Sequence, residues 1–255
     1  MFVRRCFNGA VILMLVFLSG VTFSAEPRQE FSDKYILKIA TMDLPPYGWI
    51  DEQGKKHGLV FDISEEVGKR SGMRYANEIL PFSRMLKLLK DGEVDILSSQ
   101  AHRNALEAGD KLAVIFKINV IAVTRKDSSI NSIKDLKGKV FIYHMSASYK
   151  QLEGFPKEIY RVGNYEQAVQ MLCIRKDVDA AIISEPAFYY FMQKQGRSLK
   201  DFGKIIPIER DKEQWMFVRR GIATEIRTKL KLIVEQIYRE NLWEKLLSEY
   251  KKSSQ

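Results

Sequence analysis

The chain has 255 residues, 45% of them hydrophobic, which is enough for one large domain or for two small lobes. It carries 41 Lys and Arg against 32 Asp and Glu, a formal net charge of +9. The charges are interspersed, as at Asp51–Glu52 and Lys55–Lys56, and no basic stripe interleaved with aromatic residues occurs. This pattern argues against a nucleic-acid partner. The positive balance favours anionic ligands or contact with anionic envelope surfaces.

The N-terminus has the three-part pattern of a secretory signal peptide. Arg4 and Arg5 form a short basic region, Ala10–Leu18 is apolar, and small residues lead to a cut near Ser24–Ala25. The apolar run is about half of the roughly 20 residues that a membrane-spanning helix needs. We therefore assign 1–25 to a cleaved signal peptide and predict an exported chain. A cut after Ser24 is the alternative.

The cysteine content of the exported chain predicts that it has no internal disulfide. Cys6 lies inside the predicted signal, so the exported chain keeps only Cys173. One cysteine cannot form an internal disulfide, and the fold must therefore be held by its hydrophobic core. Because Cys6 precedes the apolar run rather than following it, we do not expect a lipid-anchored cysteine.

Strand-like and helix-like segments alternate in the first half of the exported chain. We predict strands and helices, in chain order, at Tyr35–Thr41, Asp62–Ser71 (helix), Tyr75–Leu80, Ser83–Lys90 (helix) and Val94–Leu97. Asp62 is a candidate N-cap for the first helix, and Gly72 is a candidate C-terminal stop. This alternation predicts an α/β sheet with helices on its faces.

The same alternation begins again in the second half. Strands are predicted at Ile118–Thr124, Lys139–Tyr143, Val178–Ile183 and Trp215–Val218. Helices are predicted from Ser146 or Ala147, over Asn164–Arg175, from Ser184–Pro186, and as a pair within Glu225–Tyr250 that breaks near Glu240–Asn241. Asn164 can cap its helix, with Gln167 three residues later.

Two α/β units in tandem, without a flexible linker between them, predict two lobes hinged by strands. We place the crossings near Val120–Thr124 and Trp215–Arg219, which returns the C-terminal helices to the first lobe. Lobe 1 is then 35–121 plus 218–253, and lobe 2 is 122–217. A cleft between two lobes is a preferred place for a small ligand.

Several short motifs follow one another along these units. The first three are a strand with a Pro–Pro–aromatic turn at Ala40–Tyr47, two spaced glycines before an Asp at Gly54, Gly58 and Asp62, and a Gly-x-x-Asp strand start at Gly92–Asp95. The last two are a Leu-x-Gly-Lys element at Ile133–Lys139 and a Val-Asp-Ala strand at Val178–Ala181, which precedes Pro186. In this order, from about Leu37 to Tyr250, the chain resembles the bacterial extracellular solute-binding proteins of family 3.

The resemblance implies a type II periplasmic-binding-protein-like fold, with two α/β lobes joined by two crossing strands and a ligand cleft between them. It implies that a small polar molecule, an amino acid or related carboxylate, is trapped by hinge closure. The implied partner is an ABC permease, or else a membrane receptor. The implied protein is a periplasmic monomer that is not an enzyme.

The resemblance also implies aromatic ligand contacts. Tyr47 and Trp49 follow the rigid turn at Pro45–Pro46, where an aromatic side chain can stack on a ligand or pack under the turn. Phe82 occupies the family's second position for a stacking aromatic residue, with a core role as the alternative. We expect these rings to form one wall of the cleft.

Three polar residues of the first lobe match groups that hold a carboxylate in the family. Ser98 and Ser99 follow the strand Val94–Leu97, where the family has hydroxyl and backbone groups. Arg103 matches the arginine that grips the ligand carboxylate with two hydrogen bonds, for which a guanidinium is well suited. The loop before Arg103 is shorter than in the family, so the alternative is a solvated helix residue.

On the second lobe, Ser146 and Ser148 match a turn that binds anions at a helix N-terminus. Ser184 occupies a position where the family's amino-acid binders carry a carboxylate for the ligand ammonium. Glu185 follows and could substitute for it, or could face solvent. A ligand without an ammonium group is therefore an alternative to an amino acid.

No catalytic, metal-binding or cofactor motif is present, and His57, His102 and His144 do not have the spacing of metal ligands. His102 and His144 fall in loops that could line the cleft. One alternative function is a periplasmic enzyme, because cyclohexadienyl dehydratases resemble this family; Glu185 or His144 could then be its general acid. Another is a stand-alone sensory binding protein.

Overall fold

The computed structural model describes residues 35–145 and 147–253. The predicted signal peptide at 1–25 and the predicted ligand contact Ser146 lie outside these residues. Within the described part, none of the helices is both long enough and apolar enough to cross a membrane.

Strands and helices alternate as the sequence predicts. In chain order they are β1 (Ile36–Met42), β2 (Trp49–Ile50), β3 (Lys56–His57), α1 (Leu59–Ser71), β4 (Arg74–Leu80), α2 (Phe82–Asp91), β5 (Ile96–Ser99), α3 (Arg103–Ala108), β6 (Asp110–Arg125), β7 (Val140–His144), β8 (Glu158–Val162), α4 (Tyr165–Ile174), β9 (Ala180–Ser184), α5 (Glu185–Lys194), β10 (Phe202–Val218), α6 (Thr224–Arg239) and α7 (Leu242–Ser253). Short 3-10 turns lie at Ile133–Leu136, Lys150–Leu152 and Leu199–Asp201.

The main sheet has the strand order β4-β1-β5-β10-β6-β9-β7-β8. At one end β1 pairs in parallel with β4 and β5, and at the other end β7 pairs in parallel with β8 and β9. The long strands β6 and β10 run antiparallel between these two ends. The predicted two-lobed α/β fold is confirmed, and the ribbon of β6 and β10 joins its halves. The lobe boundaries at 121/122 and 217/218 stay a prediction.

Strand β10 is much longer than the predicted segment Trp215–Val218. It begins at Phe202, and its pairing with β6 shifts register around Pro207 and Glu209 and again before Lys212. A proline, charged residues and bulges interrupt the period-2 pattern by which a strand is predicted from sequence. This central stretch is nevertheless the part of β10 that passes between the two halves.

The predicted N-cap of the first helix is wrong. Helix α1 begins at Leu59 with Gly58 in the cap position, so Asp62 lies in the first turn. The Leu59 and Val60 amides donate to the carbonyls of Pro46 and Tyr47, each at 2.9 Å. Backbone carbonyls of an earlier turn therefore accept the hydrogen bonds that a capping side chain would otherwise accept. The predicted stop at Gly72 is confirmed by its left-handed conformation, with φ of 63°.

The helix predicted from Ser146 or Ala147 is also wrong. The described residues after β7 run irregularly to the three-residue 3-10 turn Lys150–Leu152. Tyr149 is buried edge-on against Tyr143, with ring centroids 5.0 Å apart. Leu152 is buried in the same cluster. Burying these two side chains against the sheet draws the segment out of helical geometry.

The other helix signals are confirmed. The Asn164 side chain caps α4 by accepting from the Gln167 amide at 2.8 Å. The C-terminal pair breaks between α6 and α7 at Glu240 and Asn241, where Asn241 has a φ of 52°. These signals depend on neighbouring residues in the chain, which explains why the sequence predicts them.

Two motif aspartates join equivalent strands in the two halves. Asp95 immediately precedes β5, and its carboxylate accepts from the Lys38 amide of β1 at 2.8 Å. Asp179 immediately precedes β9, and its carboxylate accepts from the Val140 amide of β7, also at 2.8 Å. Asp95 additionally accepts from Arg219 Nε at 2.6 Å, which ties β5 to the end of β10. Both motif aspartates therefore belong to the framework of the sheet.

Candidate functional site

A cavity of about 540 Å³ lies between the two halves of the sheet, within the usual size range of small-molecule sites. Its walls come from the ends of β1, β5, β7 and β9 and from the middle of β6 and β10. The lining residues are Met42, Leu44, Tyr47, Val60, Phe82, Ser98, Ser99, Gln100, His102, Arg103, Asn104, Phe116, Ile118, Val120, His144, Ala147, Ser148, Tyr149, Tyr165, Ser184, Lys212 and Gln214.

Most of the described residues predicted as ligand contacts line this cavity. Those that do are Tyr47, Phe82, Ser98, Ser99, Arg103, Ser148 and Ser184. Trp49 and Glu185 are not among the lining residues. The hydroxyls of Ser98 and Ser99 at the end of β5 thus meet that of Ser184 at the end of β9, because β5 and β9 run in opposite directions on the two sides of the ribbon of β6 and β10.

Tyr47 is held by the turn that precedes it. The carbonyls of Pro46 and Tyr47 bind the first amides of α1, which fixes this turn on the helix N-terminus. Gly58 approaches the same turn so closely that a Cβ on it would lie 2.3 Å from the Tyr47 carbonyl oxygen. Its φ of 134° is also one that side-chain-bearing residues rarely adopt. Position 58 must therefore be glycine if Tyr47 is to keep its observed place.

A hydrogen bond joins the two halves at the cavity wall. The Tyr47 hydroxyl donates to Ser184 Oγ at 2.6 Å, linking the turn after β1 to the end of β9. Tyr47 is only 6% exposed, and burial raises the pKa of its hydroxyl. Burial likewise raises the pKa of Tyr165, which also interacts with Ser184, to about 12. Both phenols are therefore neutral hydrogen-bonding groups at physiological pH.

Aromatic rings support this wall from behind. Trp243 of α7 stacks on Phe116 with ring centroids 4.1 Å apart and on Tyr47 with centroids 6.4 Å apart. Phe116 lies on β6, so this stack joins α7, the ribbon and the turn after β1. Tyr47 is consequently both a cavity residue and a core residue.

A second polar group lies at the ends of β5 and α3. Ser99 Oγ lies 3.4 Å from His102 Nε2, while His102 Nδ1 accepts from the Ala105 amide at the start of α3. Burial and the positive charge of Lys212 lower the pKa of His102. The ring is therefore neutral at physiological pH, and an Nδ1 acceptor leaves its proton on Nε2. Phe82 covers the ring, with centroids 5.4 Å apart.

Arg103 lies at the rim of the cavity. It is the first residue of α3, and its side chain is 89% exposed and paired with Glu107 at 2.8 Å. An exposed pair one helical turn apart contributes little to stability. In this arrangement Arg103 faces water, as in the alternative of a solvated helix residue. Its role as a carboxylate clamp stays a prediction.

Trp49 and Glu185 have other partners. The Trp49 ring stacks on His57 and contacts Tyr190 of α5, with centroids 5.4 Å and 5.7 Å apart. Glu185 accepts from Asn119 Nδ2 at 2.8 Å and lines a different cavity of about 380 Å³, which also contains Trp243. Their roles as ligand contacts stay predictions.

The two residues considered as general acids of an enzyme, His144 and Glu185, do not line the same cavity. His144 lines the main cavity, where its Nε2 lies 3.0 Å from the Gly163 carbonyl and burial lowers its pKa. Glu185 does not line that cavity. Across the described residues, no group of three His, Cys, Asp or Glu side chains is placed to hold a metal ion.

The sequence did not indicate six polar residues of the cavity, namely Gln100, Asn104, Tyr149, Tyr165, Lys212 and Gln214. Lys212 lies on the central stretch of β10, where its Nζ is 2.5 Å from Glu209 and 5.5 Å from the centre of the Tyr149 ring. Its side chain is 23% exposed. No local signal identifies it, because the irregular ladder between β6 and β10 decides which way it points.

The two-lobed sheet, the connecting ribbon and the cavity between the two halves define the class of type II periplasmic binding proteins. The chain belongs to the family "Bacterial extracellular solute-binding proteins, family 3", whose profile matches residues 37–253. The resemblance found in the sequence motifs is thereby confirmed.

Two curated relatives are each 25% identical to the chain. One is the "Probable amino-acid-binding protein YxeM" of Bacillus subtilis (strain 168), matched over 86% of this chain and 84% of its own length. The other is the "Putative amino-acid ABC transporter-binding protein PatH" of Vibrio harveyi, matched over 66% of this chain and 68% of its own length. Both are named as binding proteins rather than enzymes.

Solved structures share the fold. An ancestral arginine-binding protein bound to arginine has a TM-score of 0.66 at 20% identity, covering 84% of this chain and 97% of its own. A histidine kinase sensor domain with similarity to periplasmic binding proteins has a TM-score of 0.67 at 19% identity, covering 86% of this chain and 97% of its own. The same architecture therefore occurs in an amino-acid-binding protein and in a sensor domain.

Proposed function

We propose that the chain is a periplasmic solute-binding protein that captures a small polar solute, an amino acid or a related carboxylate. The observation that carries this proposal is the cavity of about 540 Å³ whose walls come from both halves of the sheet. Its hydroxyl, amide and aromatic groups suit a small solute with one polar end and one apolar part. The proposed contacts are Tyr47, Phe82, Ser98, Ser99, Ser148 and Ser184.

The proposed mechanism is closure of two lobes about the ribbon of β6 and β10. With the lobes apart, each carries half of the contacts, Ser98 and Ser99 on one and Ser148 and Ser184 on the other. A solute that touches both halves binds the closed form more tightly and shifts the population toward it. The Tyr47–Ser184 hydrogen bond closes the same gap, so we assign it to the closed form.

We further propose that the protein is exported by cleavage of the signal at 1–25, acts as a monomer and delivers its solute to an ABC permease. The family to which the chain belongs and the name of the Vibrio harveyi relative support the transport role. The fold itself does not distinguish a transporter subunit from a sensory binding protein, because both kinds of protein have it.

Thermal unfolding of the purified chain against amino acids, polyamines, short organic acids and aromatic carboxylates tests binding. A solute at about 100 times its dissociation constant adds about 2.7 kcal/mol, which raises the unfolding temperature by roughly 5–10 °C for a chain of this size. We expect one chemical class to give such a shift and to be recovered unchanged. Consumption of the compound would indicate an enzyme. No shift with any compound, after unfolding and refolding to strip carried solute, contradicts a binding function.

A further inference from the structure

The charged residues that line the cavity are all positive. Among the cavity-lining residues that the structure describes there is no Asp or Glu, and the charged ones are Arg103 and Lys212. Arg103 extends into water and pairs with Glu107, whereas Lys212 is half-buried. Glu209 pairs with Lys212 but does not line the cavity.

The uncharged polar groups can act as hydrogen-bond donors. Tyr149 and Tyr165 keep their protons, because burial raises the pKa of each phenol, whereas the Tyr47 hydroxyl already donates its proton to Ser184. His102 is neutral and carries its proton on Nε2, beside Ser99. An anion in this cavity would meet an ammonium group and several O–H and N–H donors. A buried ligand ammonium would find no carboxylate among the described lining residues and would face Lys212.

We propose, building on the binding function proposed above, that the solute is a carboxylate without an ammonium group and that Lys212 pairs with its anionic end. The ammonium of Lys212 has three protons, so its pairing with Glu209 leaves others for the ligand. Charge-assisted hydrogen bonds of this kind are short and strong. The rest of the ligand lies against the apolar side of the cavity, formed by Met42, Leu44, Val60, Phe82 and Phe116.

Matched compounds test the ligand class by isothermal titration of the purified chain. The pairs are 3-phenylpropanoate with L-phenylalanine, and 4-methylpentanoate with L-leucine, together with 2-phenylethylamine as an ammonium without a carboxylate. We expect the deaminated acid of at least one pair to bind at least tenfold more tightly than its amino acid, and the amine not to bind.

The role of Lys212 is tested with variants on the same strand. K212M should weaken binding of the preferred acid at least tenfold, while K204M, which removes an exposed lysine of β10 outside the cavity, should change it less than twofold. The double variant E209Q/K212M leaves no unpaired carboxylate and should bind as weakly as K212M. Recovery of affinity in the double variant would show that repulsion by Glu209, and not loss of Lys212, weakened the single variant.

The two proposals fail in different ways. If an amino acid binds more tightly than its deaminated partner, or if only an amino acid or polyamine stabilises the chain in the thermal panel, the proposed ligand class is wrong while the binding function stands. Unchanged affinity in K212M removes Lys212 from the site. If neither the matched compounds nor any solute of the panel binds, the binding function fails, and the ligand class fails with it.

Discussion

Replacing Asp95 by Ala is expected to lower the free energy of unfolding by about 3 kcal/mol, because it removes one partner from a buried ion pair. The Asp95 carboxylate is 4% exposed and accepts from Arg219 at 2.6 Å, from the Tyr35 hydroxyl at 2.5 Å and from the Lys38 amide at 2.8 Å. All of these donors lose their acceptor together. The unfolding temperature should fall by roughly 6–12 °C.

Asp179 provides a matched control for this substitution. It occupies the equivalent place in the other half, where its carboxylate accepts from the Val140 amide at 2.8 Å. Replacing Asp179 by Ala should cost about 1–2 kcal/mol, because it leaves one partly buried donor without its acceptor. Urea unfolding of both variants measures the difference. Equal losses, or a loss below about 1 kcal/mol for Asp95→Ala, would mean that Arg219 does not depend on Asp95.

Substitutions at Tyr47 should separate its structural role from its role in joining the two halves. Tyr47→Ala removes a ring that is 6% exposed and stacked on Trp243, so we expect a loss of about 3–5 kcal/mol. Tyr47→Phe keeps the ring and loses only the hydrogen bond to Ser184, for which we expect a loss of about 1 kcal/mol and weaker ligand binding. Chemical unfolding and ligand titration of both variants measure these effects.

Trp243→Ala serves as the control for the ring stack, because Trp243 is buried yet does not line the main cavity. It should cost stability as Tyr47→Ala does. If Tyr47→Ala leaves stability unchanged, Tyr47 has no part in the core. If Tyr47→Phe binds ligand as tightly as the original chain, the hydrogen bond across the cavity does not help closure.

The parts of the fold that the sequence predicts correctly are those with local causes. The cap at Asn164, the stop at Gly72 and the break near Asn241 each depend on residues within a few positions in the chain. The start of α1 does not, because its cap is made by the carbonyls of Pro46 and Tyr47. No pattern within the helix could indicate a partner that lies a dozen residues earlier and arrives only when the turn folds back.

The candidate site likewise contains residues that the sequence predicts and residues that it does not predict. Ser98, Ser99 and Ser184 lie at the ends of β5 and β9, two strands that the sequence predicts, and the ends of these oppositely directed strands face each other across the ribbon of β6 and β10. Lys212 could not be predicted, because bulges between β6 and β10 decide its direction. Glu185 adjoins Ser184 in the chain but begins α5, and its side chain accepts from Asn119 and lines the smaller cavity instead of the main one. Side-chain direction at such junctions depends on the complete fold.

Small-angle X-ray scattering of the purified chain, with and without the solute that gives the largest thermal shift, tests closure most directly. We predict that the solute reduces the radius of gyration toward the roughly 17 Å expected for a compact exported chain without the signal at 1–25. In Tyr47→Phe, a saturating concentration of the same solute should give a smaller reduction. An unchanged radius of gyration in the original chain, at a concentration where calorimetry shows full binding, would contradict closure of the two lobes around the ligand.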